Sequence, residues 1–281
     1  MRRPIAKLCL TLTAMTIVAM PLPVSAHFQM LYPGKSALQP GRPLEILMVF
    51  THPFHGAPTM EMGEPEALYV VRQRGDDAEP ERLDLLPAIQ AVSWHGTDEA
   101  AERAFRLEVA AKDMRSMGDY VFVLEPAPYY EATEDKFIQQ FTKTIVNVGG
   151  VPGNWDQPVG LPAEIRPLDK PYANWAGGVF RGVVLAGGEP VPFAEIEVEY
   201  MAHEPDPDGN GWVVGARRLT APTPSLEALS IRADASGTFV VGLPKAGWWG
   251  IAALDVGPVK EHEGKALSQD AVIWVEATAI E

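Results

Sequence analysis

Cysteine and basic residues are both scarce in this chain of 281 residues. The only cysteine, Cys9, lies in an apolar segment near the start of the sequence. The rest of the chain has no thiols, which excludes disulfide bridges, thiolate metal sites and cysteine nucleophiles there. The 23 Lys and Arg residues are outnumbered by 37 Asp and Glu, giving a net charge of −14. This balance argues against nucleic acid or an anionic membrane surface as a partner, because both are bound by basic faces.

Recognisable catalytic motifs are also absent from the sequence. It holds no G-x-S-x-G, no H-E-x-x-H and no Gly-rich phosphate loop. Its many carboxylates show no spacing that singles out an acid and base pair. After residue 26 no run of about 18 apolar residues occurs, so we expect no membrane-spanning helix there. We therefore expect a binding protein rather than an enzyme.

The first 26 residues have the pattern of an export signal. Three basic residues precede the apolar run LCLTLTAMTIVAM, and Val24 and Ala26 then occupy the −3 and −1 positions of a cleavage site. We predict cleavage after Ala26, which makes His27 the first residue of a periplasmic protein. The mature chain then has 20 basic and 37 acidic residues, a net charge of −17.

Short strands and turns are the elements that the mature sequence favours. Its glycines and prolines, 25 and 26 in the full chain, favour turns over long helices, and apolar stretches of strand length recur between them. We predict an all-β fold of two antiparallel β-sandwich domains. The passage 149–177 is rich in Pro, Gly and Trp and separates them. The predicted divisions are the signal at 1–26, an N-terminal metal-binding domain at 27–170 and a C-terminal domain at 171–281.

Three segments carry finer expectations. Phe137 and Phe141 stand four residues apart, which favours one or two helical turns over 134–141. Alternation in the segment 195–200 predicts a strand whose three glutamates face water. The sequence DPDGNG at 206–211 favours a hairpin turn over a calcium loop.

Histidines carry the chemistry that the sequence offers. An N-terminal His27 has a free α-amine and an imidazole Nδ1, which together can close a chelate ring on a metal ion. His52 and His55 stand three residues apart, directly after the predicted strand 44–50, where side chains converge on a loop. These nitrogen donors suit Ni(II), Co(II), Cu(II) or Zn(II). His95, in the loop-like SWHGTDE, is equally consistent with a ligand and with a surface residue.

The remaining histidines and several methionines are assigned other roles. His203 and His262 lie in acidic loops, and we expect them to be solvated. Met30, Met60 and Met62 offer thioethers that favour Cu(I), but scattered methionines more often fill cores. The predicted metal site therefore consists of nitrogen donors.

Several segments of the mature chain resemble one known family. They are HFQMLYPGKS, THPFHG, FTKTIVNVGG, WDQPVGLPAEIRPLDKPY and WAGGVFRGVVLAGGEPVPFAEIEVEY. In this order they resemble the DUF4198 family, described as the periplasmic component of nickel or cobalt uptake systems. The resemblance implies an exported all-β protein that works beside inner-membrane nickel or cobalt transporter subunits. His27 and His52 match histidines of that family, whereas His55 falls where many relatives have other residues.

The second half of the chain also resembles prealbumin-like sandwich modules, with a G-x-V-x…G-x-P-V-x-x-A pattern. The expected fold is therefore a pair of immunoglobulin/prealbumin-like sandwiches. The expected function is capture of Ni(II) or Co(II) as cargo and its delivery to the transporter. The expected ligands are His27 and His52, followed by His55 and His95.

Three alternatives remain open at this stage. A terminal histidine with a second histidine on a β-sandwich is also the copper site of oxidative polysaccharide-cleaving enzymes, for which Trp94, Trp155 and Trp175 would form the substrate surface. A copper chaperone would use the methionines instead, with Cu(I) bound in reductant. An adhesion or scaffold module would need no metal at all. Copper binds most such sites tightest in vitro, so affinity alone does not identify the physiological metal.

We predict that the protein isolated from the periplasm begins at His27, because the signal pattern ends at Ala26. N-terminal sequencing and intact mass measure this directly. A start at any other residue would remove the chelate on which the metal hypothesis depends.

Overall fold

The computed structural model describes residues 27–73 and 79–280, so the predicted signal at 1–26 lies outside the described residues. Within those ranges the strands, numbered in chain order, are β1 (Phe28–Gln29), β2 (Ala37–Leu38), β3 (Leu44–Met48), β4 (Phe50–Thr51), β5 (Thr59–Met60), β6 (Ala67–Arg72), β7 (Glu81–Asp84), β8 (Gln90–His95), β9 (Ala101–Val109), β10 (Gly118–Glu125), β11 (Tyr129–Glu131), β12 (Lys136–Val148), β13 (Ala163–Pro167), β14 (Asn174–Trp175), β15 (Gly178–Ala186), β16 (Glu189–Pro190), β17 (Glu195–Tyr200), β18 (Pro205–Asp206), β19 (Gly211–Trp212), β20 (Ala228–Arg232), β21 (Thr238–Leu243), β22 (Gly247–Ala253), β23 (Glu261–His262) and β24 (Lys265–Thr278). Two short 3-10 helices lie at Leu86–Ala88 and Pro224–Leu226. The predicted all-β class is confirmed.

One large sheet includes strands from both halves of the chain. Its strands follow the order β20-β17-β22-β24-β12-β10-β6-β7, with four short strands attached at the sides. β12 and β24 pair in parallel, from Lys136 opposite Ala266 to Thr144 opposite Trp274. Since β12 precedes residue 170 and β24 follows it, the two halves share this sheet. The division into domains at that residue stays a prediction.

The first face of the large sheet packs against a four-stranded sheet of β13, β15, β16 and β21. Phe180 and Val184 of β15 belong to the same core as Ile145 of β12 and Ile273 of β24. These side chains are almost fully buried. This core closes the sandwich on the C-terminal side, as its alternating apolar pattern requires.

The second face is covered by the sheet of β18, β19, β8, β9 and β3. Alternate residues of β3 enter different cores: Ile46 packs with Phe122 of β10, and Leu47 packs with Trp274 of β24. Both faces of β3 are therefore buried, in keeping with its nearly continuous apolar sequence. The N-terminal segment lies in the second of these cores, where Phe28 is fully buried.

The segment 134–141 does not form the helical turns that the sequence predicted. It enters β12, which extends over Lys136–Val148 and pairs with β11. Residues four apart share a face of a strand as well as a face of a helix, so the spacing of Phe137 and Phe141 does not discriminate between them. The strand ends before Gly149, which has a φ of +76°.

Of the three β17 glutamates predicted to face water, Glu195 is exposed, but the other two are buried. Glu197 and Glu199 are 8% and 2% exposed, because the N-terminal half covers this face of the sheet. One oxygen of Glu199 accepts the backbone N–H of Phe54 at 2.7 Å. Burial raises the pKa of both carboxyls, that of Glu197 to about 7, with the charges of Glu195 and Asp270 adding to the effect on Glu197.

The predicted hairpin at 206–211 is confirmed, since β18 and β19 pair antiparallel with Asp206 opposite Gly211.

We expect the Glu197→Gln variant to be more stable than the natural chain at pH 8 but not at pH 4.5. The pKa of about 7 lies above the ordinary value of 4.5, so the folded chain favours the protonated carboxyl and loses stability as the pH rises through this window. The gain at pH 8 should be about 1–3 kcal/mol, since one pKa unit corresponds to ~1.4 kcal/mol. Urea unfolding at both pH values measures it. Glu189→Gln, which removes an exposed carboxylate on β16, is the control. An equal change at both pH values would contradict the assignment.

Candidate metal-binding site

The antiparallel pairing of β1 with β4 brings the two predicted principal ligands together. Phe28 lies opposite Thr51, and Gln29 lies opposite Phe50. Extending this register by one residue places His27 opposite His52, and cross-strand neighbours have Cβ atoms about 5 Å apart. The two imidazole centroids are 4.6 Å apart, with their planes tilted by 44°. The histidine pair that the sequence predicted is therefore assembled.

Glu131 is a third member of this site that the sequence analysis missed. Its Oε2 lies 3.2 Å from Nε2 of His27, and it stands at the end of β11. Its other oxygen, Oε1, accepts the backbone N–H and the hydroxyl of Thr133, at 2.9 and 2.6 Å. These bonds fix the carboxylate, so that one oxygen is held by its own hairpin and the other faces the imidazole.

Burial and the neighbouring charge shift the pKa values of His27 and Glu131 in opposite directions. Burial lowers the pKa of His27 and outweighs the opposing effect of Glu131. Burial alone would raise the pKa of Glu131, but the hydrogen bonds from Thr133 and the nearby His27 and His52 bring it below its ordinary value. The result at neutral pH is a neutral imidazole beside a carboxylate. A neutral imidazole is the form that binds a metal ion.

The contact with Glu131 decides which nitrogen of His27 is available. Only Nδ1 is close enough to the α-amine of the same residue to share one metal ion in a chelate ring. Nε2 is the nitrogen that faces Glu131. A histidine whose outer N–H is donated to a carboxylate is the usual arrangement around protein-bound metals, because it fixes the tautomer and the ring orientation.

Aromatic side chains and a glutamine surround the pair. Phe50 and Tyr129 lie with their ring centroids 5.7 and 6.4 Å from that of His27, and 5.2 Å from each other. Behind them, the side-chain amide of Gln140 contacts the backbone of the N-terminal segment. His27 keeps about one seventh of its side chain exposed, and His52 is buried, so His27 is the accessible member of the pair.

The structure does not bring all four predicted ligands together. His55 pairs with Glu227, at 3.0 Å between Nε2 and Oε2, and its ring packs edge-on against Phe54. His95 is exposed at the end of β8, where it pairs with Gly211 of β19. In the compact turn that follows β4, the backbone carbonyl of His52 accepts the N–H of His55, whose ring contacts Phe54 and Glu227.

Other residues named from the sequence also have defined places. Met30 lies in a different core from Met60 and Met62, and all three are buried. His203 is half-buried rather than solvated, and burial lowers its pKa. His262 is also only partly exposed, and its ring packs edge-on against another aromatic side chain. The methionines therefore pack in cores as the more common expectation had it, and the expectation for both histidines needs correction.

Side chains alone do not complete a metal site in the part of the chain that the structure describes. Across residues 27–73 and 79–280, no three His, Asp or Glu side chains are placed so that together they could hold a metal ion. An ion held by His27 and His52 thus needs a donor from elsewhere. The α-amine that cleavage after Ala26 would create is such a donor, and two imidazoles with an amine form a nitrogen set that suits Ni(II), Co(II) and Cu(II).

These features define an all-β protein with a histidine pair at the start of its first strand. The sequence matches the family described as a domain of unknown function, DUF4198, over residues 24–257. The chain therefore belongs to the DUF4198 family, as its segments indicated. A search of curated proteins gives no match.

Solved structures give only distant likenesses. The chain is 7% identical to the native conformation of E. coli alpha-2-macroglobulin, with a TM-score of 0.21, covering 91% of this chain and 14% of that one. Salmonella alpha-2-macroglobulin reacted with methylamine gives 8% identity and a TM-score of 0.23, covering 96% and 16%. A marsupial T cell receptor gives 11% and 0.21, covering 87% and 70%. The chain spans less than a fifth of the two macroglobulins, and these scores are too low to assign a common fold.

We expect the Glu131→Gln variant to lower the pKa of His27 below its value in the natural chain. The carboxylate favours the protonated imidazole, so its removal leaves the effect of burial less opposed. NMR titration of the His27 ring in the metal-free mature protein measures the shift. Glu61→Gln, which removes an exposed carboxylate bound to Arg103, should leave the titration unchanged. An unaltered His27 titration in Glu131→Gln would contradict the pairing.

Proposed function

We propose that the mature protein binds Ni(II) or Co(II) in the periplasm and delivers the ion to an inner-membrane uptake transporter. The ligands are the α-amine and Nδ1 of His27 together with the imidazole of His52. His55 and His95 are left out of this set, because the first is paired with Glu227 and the second lies on another strand end.

One observation carries the proposal. Nε2 of His27 lies 3.2 Å from a buried carboxylate, and the ring of His52 lies directly opposite. A carboxylate that binds the outer nitrogen of a histidine orients the inner nitrogen and increases its basicity. In an N-terminal histidine the inner nitrogen is the one that can act with the amine. Glu131 therefore supports the chelate without occupying it.

The choice of metal follows from chemistry and from the family. Amine and imidazole nitrogens are donors of intermediate softness, which suit Ni(II), Co(II) and Cu(II) better than Mg(II) or Ca(II). The resemblance of several segments to components of nickel or cobalt uptake systems favours these two metals over copper. Cleavage after Ala26 would leave a net charge of −17, which attracts cations. Salt limits this attraction to distances of roughly 8 Å under physiological conditions.

None of the helices in residues 27–73 and 79–280 is long and apolar enough to cross a membrane. The accessible edge of His27 gives a partner protein a place from which to remove the ion. A site with few ligands suits a carrier, because the ion must leave as well as bind.

Copper is the second candidate, in a binding protein or in an oxidative enzyme. The same three nitrogens form the histidine brace that such enzymes use, so the ligand set alone does not separate the two. Three tryptophans were expected to form the substrate surface of such an enzyme. Of these, Trp94 is fully buried and only Trp175 is largely exposed. Copper- and ascorbate-dependent peroxide production by the mature protein would favour the enzyme.

We expect that blocking the amine weakens metal binding by at least 10–100-fold. A Gly-Ser extension turns the amine of His27 into an amide, which is a poor ligand unless it is deprotonated, and breaks the chelate. Loss of an outer partner already costs 10–100-fold, and loss of a direct ligand should cost no less. His52→Ala should cost a similar amount. Isothermal titration with Ni(II) and Co(II) of the natural, extended, His52→Ala and doubly changed forms measures these effects.

Two controls accompany this titration. His262→Ala removes a partly exposed imidazole on another strand and should leave the affinity unchanged. The double form should lose less than the sum of the single losses, since both changes act on one ion. Equal affinity of the natural and extended forms would overturn the chelate, whatever the effect of His52→Ala.

A further inference from the structure

The side-chain amide of Gln140 binds the backbone of the N-terminal segment on both sides of Phe28. Its Oε1 accepts the backbone N–H of Gln29, and its Nε2 donates to the carbonyl of His27, each at 2.7 Å. These are the two bonds that a neighbouring strand would make. The amide of Gln140 thus acts as one extra rung of sheet beneath a strand of only two residues.

A buried carboxylate fixes which way round this amide lies. Nε2 of Gln140 also donates to Oδ2 of Asp270, at 3.1 Å. The other oxygen of Asp270 accepts the N–H of Asp255 and the hydroxyl of Ser268, at 2.8 and 2.6 Å. The backbone N–H of Gln29 can only donate and the carbonyl of His27 can only accept, so they fix the orientation of the amide, and Asp270 in its ionised form accepts a second bond from the same NH₂ group.

The Gln140 clamp, which is the side-chain amide with its bonds to His27, Gln29 and Asp270, lies in the core. Gln140 and Asp270 are both 3% exposed and lie opposite each other in the parallel pairing of β12 with β24. Gln29, whose backbone N–H donates to the Gln140 amide, is 2% exposed, and Phe28 is fully buried. A hydrogen-bonded amide at such a site holds the backbone closely, since an unpaired polar group buried here would destabilise the fold.

We propose that Gln140, oriented by Asp270, is the positioning residue that sets the backbone of His27 so that its amine and Nδ1 meet one metal ion opposite His52. This rests on the proposed function, because it deepens the same site. The carbonyl that accepts the bond from Gln140 belongs to His27 itself, and its carbon is bonded directly to the Cα that carries the amine. The clamp therefore restricts rotation of the residue whose backbone and side chain both act as ligands.

The test compares two neighbouring glutamines of β12 in the mature protein. Gln140→Leu removes both bonds to the N-terminal segment. Gln139→Leu is the matched control, because Gln139 is equally buried and hydrogen-bonded, but to Pro126, Glu66 and Gln269. Isothermal titration with Ni(II) should show a loss of about 10–100-fold for Gln140→Leu, the range found when outer partners of metal ligands are removed. Gln139→Leu should change the affinity less than about threefold.

A second measurement needs no metal. Hydrogen exchange of the Gln29 amide in the metal-free protein should be slow in the natural chain and in Gln139→Leu, and fast in Gln140→Leu. With Gly-Ser ahead of His27, Gln140→Leu should cost little further affinity, since the chelate is already lost.

The outcomes separate this inference from the proposed function. If the natural chain binds no metal, the proposed function fails, and with it the role of Gln140 in the site. If the natural chain binds but the two leucine variants weaken binding equally, the proposed function stands and Gln140 is a structural residue only. Unchanged exchange of the Gln29 amide in Gln140→Leu overturns the clamp itself.

Discussion

The parallel pairing of β12 with β24 is the constraint on which the candidate site depends. It joins strands that lie on opposite sides of residue 170, and its register sets Gln140 opposite Asp270. A shift of one residue between the two strands would leave these two side chains on opposite faces of the sheet, and the one that moved would enter an apolar core. The N-terminal segment would then lose the amide that holds it, or that amide would lose its partner Asp270. The geometry at His27 is thus a consequence of pairing far from it in sequence.

Several polar side chains buried in this sheet have partners that specify its arrangement. Lys143 and Glu164 are 1% and 2% exposed and form an ion pair at 2.6 Å. The same carboxylate accepts the backbone N–H groups of residues 159–161, so it fixes a loop as well as a charge. Such pairs contribute little net stability, because desolvation of the two charges offsets their attraction. They act with the Gln140 clamp to exclude other registers.

The sequence predicted the fold class and the two histidines but not their surroundings. The chelate chemistry of a terminal His27 and the strand-end position of His52 are both visible in the residues themselves. Glu131 and Gln140 are not, because their roles depend on pairings across as many as 113 residues. The buried Glu197 was misread for the same reason, since alternation in one strand does not show that a second layer covers its polar face.

On the proposed function, metal binding is linked to export, because one of the ligands is created only by cleavage. In the precursor the nitrogen of His27 is an amide, so the chelate is missing even if the two imidazoles approach each other. Among residues 27–73 and 79–280, no three His, Asp or Glu side chains are placed so that together they could hold an ion. The precursor would therefore carry little metal through the inner membrane, and the site would be completed after cleavage. Folding then adds the second half of the site, since His52, Glu131 and Gln140 come from three separate strands or strand ends.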